Sequence, residues 1–236
     1  MGGIFDKMFS LARCLKLALL VVFLFFVSPN VDVFSRGYFG RTTDPTPVHI
    51  SVQDKNEIVH FVIPKVFITF SENWDGGLQS GITLEIIYPS MAALSASRNS
   101  TKGPDVVIIN LQSFANTGAD YSVAKLLPYK IATQWAFIES MKDSEGRSYR
   151  VFVNKGDVEK RKDKNQLVSE FLVPDTNDIY FECLRDISNP FVGCNGTVNY
   201  GESLSLMFQF KRTHFERWPE IHEDVLKLLN SFRHPA

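Results

Sequence analysis

The chain has 236 residues and a net charge of −1, with 44% hydrophobic and 22% charged residues, ordinary usage for a globular protein. A charge this near neutral argues against a nucleic-acid partner, which calls for a strongly basic face. With an N-terminal leader of about 35 residues set aside, roughly 200 remain, enough for one domain with a sizeable core.

Residues 17–27 (LALLVVFLFFV) form an unbroken apolar run, and the uncharged stretch continues to Val31. Lys7, Arg13 and Lys16 make the preceding flank net positive despite Asp6. A cleaved signal peptide has this arrangement, but the best cleavage candidate, Val33-Phe34-Ser35, lacks the small-residue pattern. An uncleaved signal anchor is the other reading. Residues 17–31 span only about 22 Å as a helix, short of the roughly 30 Å hydrocarbon layer. Extending the helix back to Met8 closes the gap, with Arg13 and Lys16 snorkelling at the cytoplasmic edge. Basic residues on the N-terminal side orient such a segment N-in and C-out. Both readings imply export. Lipidation fits neither Cys14, which precedes the apolar run, nor Gly2, whose motif is broken by Asp6. The expected organisation is a cytoplasmic stub and anchor over residues 1–31, a linker over 32–46 and an exported β-rich domain over 47–236.

Val48, Ile50 and Val52 alternate with His49 and Ser51, the period of a half-buried strand. Residues 53–56 make a polar turn, and 57–70 (EIVHFVIPKVFITF) is strand-like on both sides of Pro64, which marks a bulge, an edge or a break. Trp74-Asp75-Gly76-Gly77 is a loop. Exposed loop aromatics mark binding surfaces, so Trp74 and Asp75 are candidate partner contacts; the competing reading is a turn-forming Asp-Gly beside a Trp tucked into the core. Residues 82–88 form a strand, 91–94 a short helical turn, and 105–111 (DVVIINL) a buried strand. Residues 120–127 read as a short helix. Residues 135–141 and 149–153 flank a polar turn as a hairpin, and the mixed-sign run in 154–166 reads as a solvated loop.

Residues 179–184 form a strand running into Cys183. Cys183 and Cys194 are the pair in the exported part, and in an oxidising compartment they suggest a disulfide closing a short loop. A structural staple, a reactive thiol pair and free buried cysteines all remain open; neither residue has the partners of a zinc site. Residues 197–200 and 203–211 form a hairpin in which Leu204, Leu206, Phe208 and Phe210 alternate with Ser205, Met207 and Gln209. Trp218, Ile221, Val225, Leu228, Leu229 and Phe232 then repeat at helical spacing over 218–232. Pro219 suits the first turn, and the early acidic and late basic residues match the helix dipole. The fold class is α+β: a strand-dominated antiparallel sheet or sandwich with a C-terminal amphipathic helix, preceded by one N-terminal transmembrane helix.

No catalytic signature emerges. Gly77-Leu-Gln-Ser80-Gly81 places Ser wrongly for a nucleophile elbow, and no phosphate loop or dinucleotide fingerprint is present. His49, His60, His214, His222 and His234 lack metal-ligand spacing; His49 and His60 read as surface imidazoles, at most a cross-strand pair. No cofactor or metal is expected. Asn99 and Asn195 stand in glycosylation sequons, relevant only in a secretory eukaryotic host.

The layout is that of a bacterial envelope protein. The leading expectation is a membrane-anchored, non-enzymatic envelope protein with a periplasmic protein-binding domain: an immunity protein against a secreted toxin, or an accessory subunit of an envelope or secretion complex. It would be a single-pass inner-membrane protein, or soluble in the periplasm or secreted if the leader is cleaved. The alternatives are an envelope hydrolase with an unrecognised active site and a eukaryotic secreted or membrane glycoprotein.

Overall fold

Alternation becomes structure first at the start of the described chain. A computed structural model describes residues 42–94, 105–117, 121–163, 166–185 and 193–234. The apolar run at 17–27 with its anchor and cleavage readings, Cys14, most of the 32–46 linker and the Asn99 sequon lie outside them. Among the described residues no helix is long and apolar enough to cross a membrane. Strand β1 (Pro47–Asp54) buries Val48, Ile50 and Val52, and pairs along its whole length with β2 (Glu57–Pro64). The turn between them is held by Gln53 Nε2, which donates to the carbonyls of Lys55 and Glu57. Pro64 ends β2 and a 3-10 turn (Lys65–Phe67) follows, so the strand-like run breaks there as its missing N–H requires. The parallel strand β3 (Gly77–Gln79) and the terminal β13 (Arg233–His234) complete a four-stranded sheet, ordered β13-β2-β1-β3.

A nine-stranded antiparallel sheet forms the larger layer, in the order β5-β4-β6-β12-β11-β10-β9-β8-β7. Its members are β4 (Gly81–Ile87), β5 (Ala92–Ala93), β6 (Val106–Ser113), β7 (Trp135–Lys142), β8 (Ser148–Asn154), β9 (Val168–Pro174), β10 (Ile179–Arg185), β11 (Gly193–Asn199) and β12 (Leu204–Lys211). The alternation of β12 holds: Leu204, Leu206, Phe208 and Phe210 are buried, while Met207 and Gln209 are exposed. Two segments depart from expectation. Residues 92–93 form a short edge strand on Ile86 and Ile87 rather than a helical turn, because an open sheet edge offers hydrogen bonds that an isolated turn lacks. Strand β9 is buried on both faces and so shows no alternation to read.

Helix α2 (Trp218–Phe232) matches its expected span and buries Ile221, Val225 and Leu229. These residues join the inward side chains of both sheets in one core. Phe181 sits at its centre, its ring edge-on to Phe208, Phe210 and Phe215. Gly196 of β11 is required there: a Cβ would stand 2.7 Å from Phe208 and 2.8 Å from Phe181. Helix α1 (Val123–Thr133) covers the opposite face of the large sheet. It packs on Phe152, Phe171, Val173 and Tyr180 in a second cluster, while Leu172 and Phe181, on the alternate pleats, belong to the main core. The architecture is thus strand-dominated α+β with a C-terminal helix.

Candidate functional site

At the β7–β10 end of the large sheet, on the face that carries the main core, a cleft of about 400 Å³ opens. Tyr149, Val151 and Leu172 line its floor, and around them stand Arg161, Lys162, Arg185 and Arg212 with Glu139 and Glu170. Glu170 is only 6% exposed in an otherwise apolar strand. A buried carboxylate demands compensation, and two arginines supply it: Arg212 Nη2 lies 3.2 Å from one Glu170 oxygen and Arg161 Nε 3.8 Å from the other. Arg161 also pairs with Glu139. Arg185 donates to the Arg161 backbone carbonyl at 3.2 Å; among the described residues no carboxylate pairs with it.

Arg212 ties the cleft to the core. Its guanidinium lies over the Phe215 ring at 4.7 Å, and Nη1 is 3.9 Å from both Cys183 and Cys194 sulfurs. Burial pulls this guanidinium below its ordinary pKa, while Glu170 pushes it back up. The two cysteines face each other across β10 and β11 and form a disulfide, both sulfurs buried. Of the three readings of the pair, a buried staple is the one formed.

The charge run at 154–166 is largely solvated, with exposed pairs Lys160–Asp157 and Lys162–Glu159. Arg161 is the exception, since it turns inward to Glu170. The available sequence signal was Glu170 itself, a lone charge in LVSEFLVP.

Trp74 and Asp75 end a 3-10 turn (Ser71–Asp75). Trp74 is half-buried against the main core, its Nε1 donating to the Ile68 carbonyl at 3.4 Å, whereas Asp75 is exposed. The histidines separate. His49 and His60 share the outer face of the small sheet but are not opposed: His60 faces Ser51, bonding its hydroxyl at 2.9 Å, and His49 faces Val62. His234 stands opposite His60. His214 pairs with Asp105 at 3.0 Å, and Lys211, hydrogen-bonded to Asp105, holds that carboxyl below its usual pKa range. His222 stacks on Phe208, and burial lowers its pKa. Among the described residues no group of three or more His, Cys, Asp or Glu could hold a metal ion.

A second buried carboxylate lies at the corner where the β1–β2 turn meets the β11–β12 turn. Asp54, 5% exposed, accepts from the backbone N–H groups of Glu202 and Ser203 at 3.2 and 2.6 Å and from the Ser203 hydroxyl at 3.0 Å. A Cβ on Gly201 would come within 2.0 Å of its Oδ2.

No protein-family model matches the chain, and no curated protein matches its sequence. Among solved structures, the fold resembles Smlt3025, an immunity protein of the Stenotrophomonas maltophilia type IV secretion system. The TM-score is 0.53 at 15% identity, over 85% of this chain and 98% of that one. At that identity the likeness is one of fold.

Proposed function

We propose that this chain is a membrane-anchored, non-enzymatic envelope protein whose β-rich region binds another protein in the periplasm, as an immunity protein against a secreted toxin. The observation that carries this reading is the fold likeness to an immunity protein, which extends over nearly the whole of that chain. The apolar run with its basic flank, Arg13 and Lys16 before residues 17–27, supports export and anchoring. The disulfide suits an oxidising compartment. Asp75, exposed at the end of its 3-10 turn, is a separate contact available to a partner, with Trp74 bracing the turn from the core side.

The test is capture from envelope membranes with the full chain as bait, offered each candidate secreted toxin in turn. A stoichiometric complex is expected. A bait that captures nothing, where a control partner is captured, contradicts the reading. Sequencing the mature N-terminus tests the anchor separately: an intact leader supports it, and a start near Arg36 leaves export standing and removes retention.

A further inference from the structure

Four cations line the β7–β10 cleft against two carboxylates, and both carboxylates are already engaged. Glu170 sits between Arg212 and Arg161, and Glu139 is held by Arg161. Lys162 turns to Glu159 at its exposed side. Among the described residues Arg185 is left with one hydrogen bond, to a neutral backbone carbonyl. A guanidinium has five donors arranged in a planar fork suited to a carboxylate, so most of its capacity is unused. Arg161 Nε is buried without a hydrogen bond, its nearest carboxylate oxygen 3.8 Å away. The cleft is therefore a concave site with excess positive charge and spare donors, on a chain whose overall charge is −1.

We propose that this cleft receives an acidic side chain of the protein partner, with Arg185 as its principal ligand and the Arg161–Glu170–Arg212 network as the rigid backing. The inference rests on the protein-binding reading above and adds the chemistry of the partner's contact. The network locks Arg161 and Arg212 before the partner arrives, so Arg185 alone must be ordered on binding. A carboxylate inserted here is partly desolvated against Tyr149, Val151 and Leu172, which strengthens a charge-assisted pair relative to one in water. The cleft takes one or two carboxylates at a time: its charge is confined to a small concavity, and Lys162 in its lining is already paired with Glu159.

The test uses the full chain in detergent and a fluorescent hexaglutamate peptide as probe, followed by anisotropy. Hexaglutamate is expected to bind, and to weaken as ionic strength rises. Arg185→Ala should weaken it about tenfold, the loss of one charge-assisted contact, and Arg185→Glu should abolish it. Lys227→Ala, at an exposed ion pair of α2, should leave it unchanged. Melting temperatures of the Arg185 variants should match the parent, because no carboxylate among the described residues pairs with that side chain. Absent binding, or equal binding by Arg185→Glu, overturns the proposal. Full displacement by inorganic phosphate at equal charge concentration also overturns it, assigning the site to a free anion. If the toxin is captured equally by the parent and Arg185→Glu, the cleft assignment falls and the protein-binding reading stands. If no protein is captured while hexaglutamate binds through Arg185, the carboxylate chemistry stands and the protein-binding reading falls.

Discussion

Asp54 and Glu170 are both buried carboxylates, about equally hidden from solvent, yet they are compensated in opposite ways. Asp54 accepts from two backbone N–H groups and one hydroxyl, all within its corner. Those donors are neutral and nothing is left over, so the carboxylate fastens two turns that lie 149 residues apart in the chain. Glu170 is met by two guanidinium groups whose donors exceed what one carboxylate can use. A corner closed on itself serves the fold. A corner with surplus charge is stable only because water can reach it, and that surplus is what the proposed contact with an acidic partner would use.

Removing one partner from each corner gives the largest contrast. Glu170→Ala leaves Arg212 without its carboxylate and Arg161 with Glu139 alone, and is expected to cost about 3–5 kcal/mol, the range for breaking a buried ion pair. Urea denaturation reads it directly. Adding Arg212→Met should recover much of that loss, because it removes the guanidinium left buried without its carboxylate. A double variant no more stable than Glu170→Ala would show that the network does not hold as described. Reducing the Cys183–Cys194 disulfide should cost about 3 kcal/mol through the freed loop, seen as a lower melting temperature in dithiothreitol. Asp54→Ala should cost about 1–3 kcal/mol by leaving its donors unsatisfied, and Gly201→Ala should destabilise the same corner by driving its Cβ into Asp54.

Acid sharpens the comparison further. Burial holds the His222 pKa below its ordinary value, and its Nε2 has no hydrogen-bond partner. The unfolded chain therefore binds the proton more readily, and stability falls as pH drops from about 6.5 towards the lower native pKa. His222→Gln should flatten that slope in thermal melts. Asp105, whose pKa is lowered mainly by Lys211, adds stability that is present above the unfolded carboxyl pKa and lost as pH falls through the native one. The smallest stability effect is expected at Arg185→Ala, within about 0.5 kcal/mol, since among the described residues its guanidinium makes one neutral contact.

Much of the fold is legible in local pattern, where a segment has one wet face and one dry face. β1, β12 and α2 meet that condition, and their buried positions follow from period alone. The pattern fails where both faces are covered. β9 packs Leu172 into the main core and Phe171 into the α1 cluster, so its sequence is nearly uniform and gives no period. α1 was expected over 120–127, yet it runs Val123–Thr133 through Pro128. Packing of Val123 and Leu127 on the sheet outweighs the lost N–H and the local clash that would end an isolated helix. The candidate site is the least legible part. Glu139, Arg161, Glu170, Arg185 and Arg212 are scattered over more than seventy residues and meet only through strand order. Cys183 and Cys194 were legible because, with Cys14 of the three cysteines read into the leader, one pairing is left. Trp74 reads as a contact or, more readily, as a core residue beside a turn, and the structure places it half-buried against the core.

The most direct measurement is survival of cells that direct to their periplasm the toxin captured by the full chain. Cells carrying the full chain should survive, and cells carrying the chain without residues 1–31 should die, because the domain then stays in the cytoplasm. Equal killing with and without the full chain would contradict the immunity reading at its root.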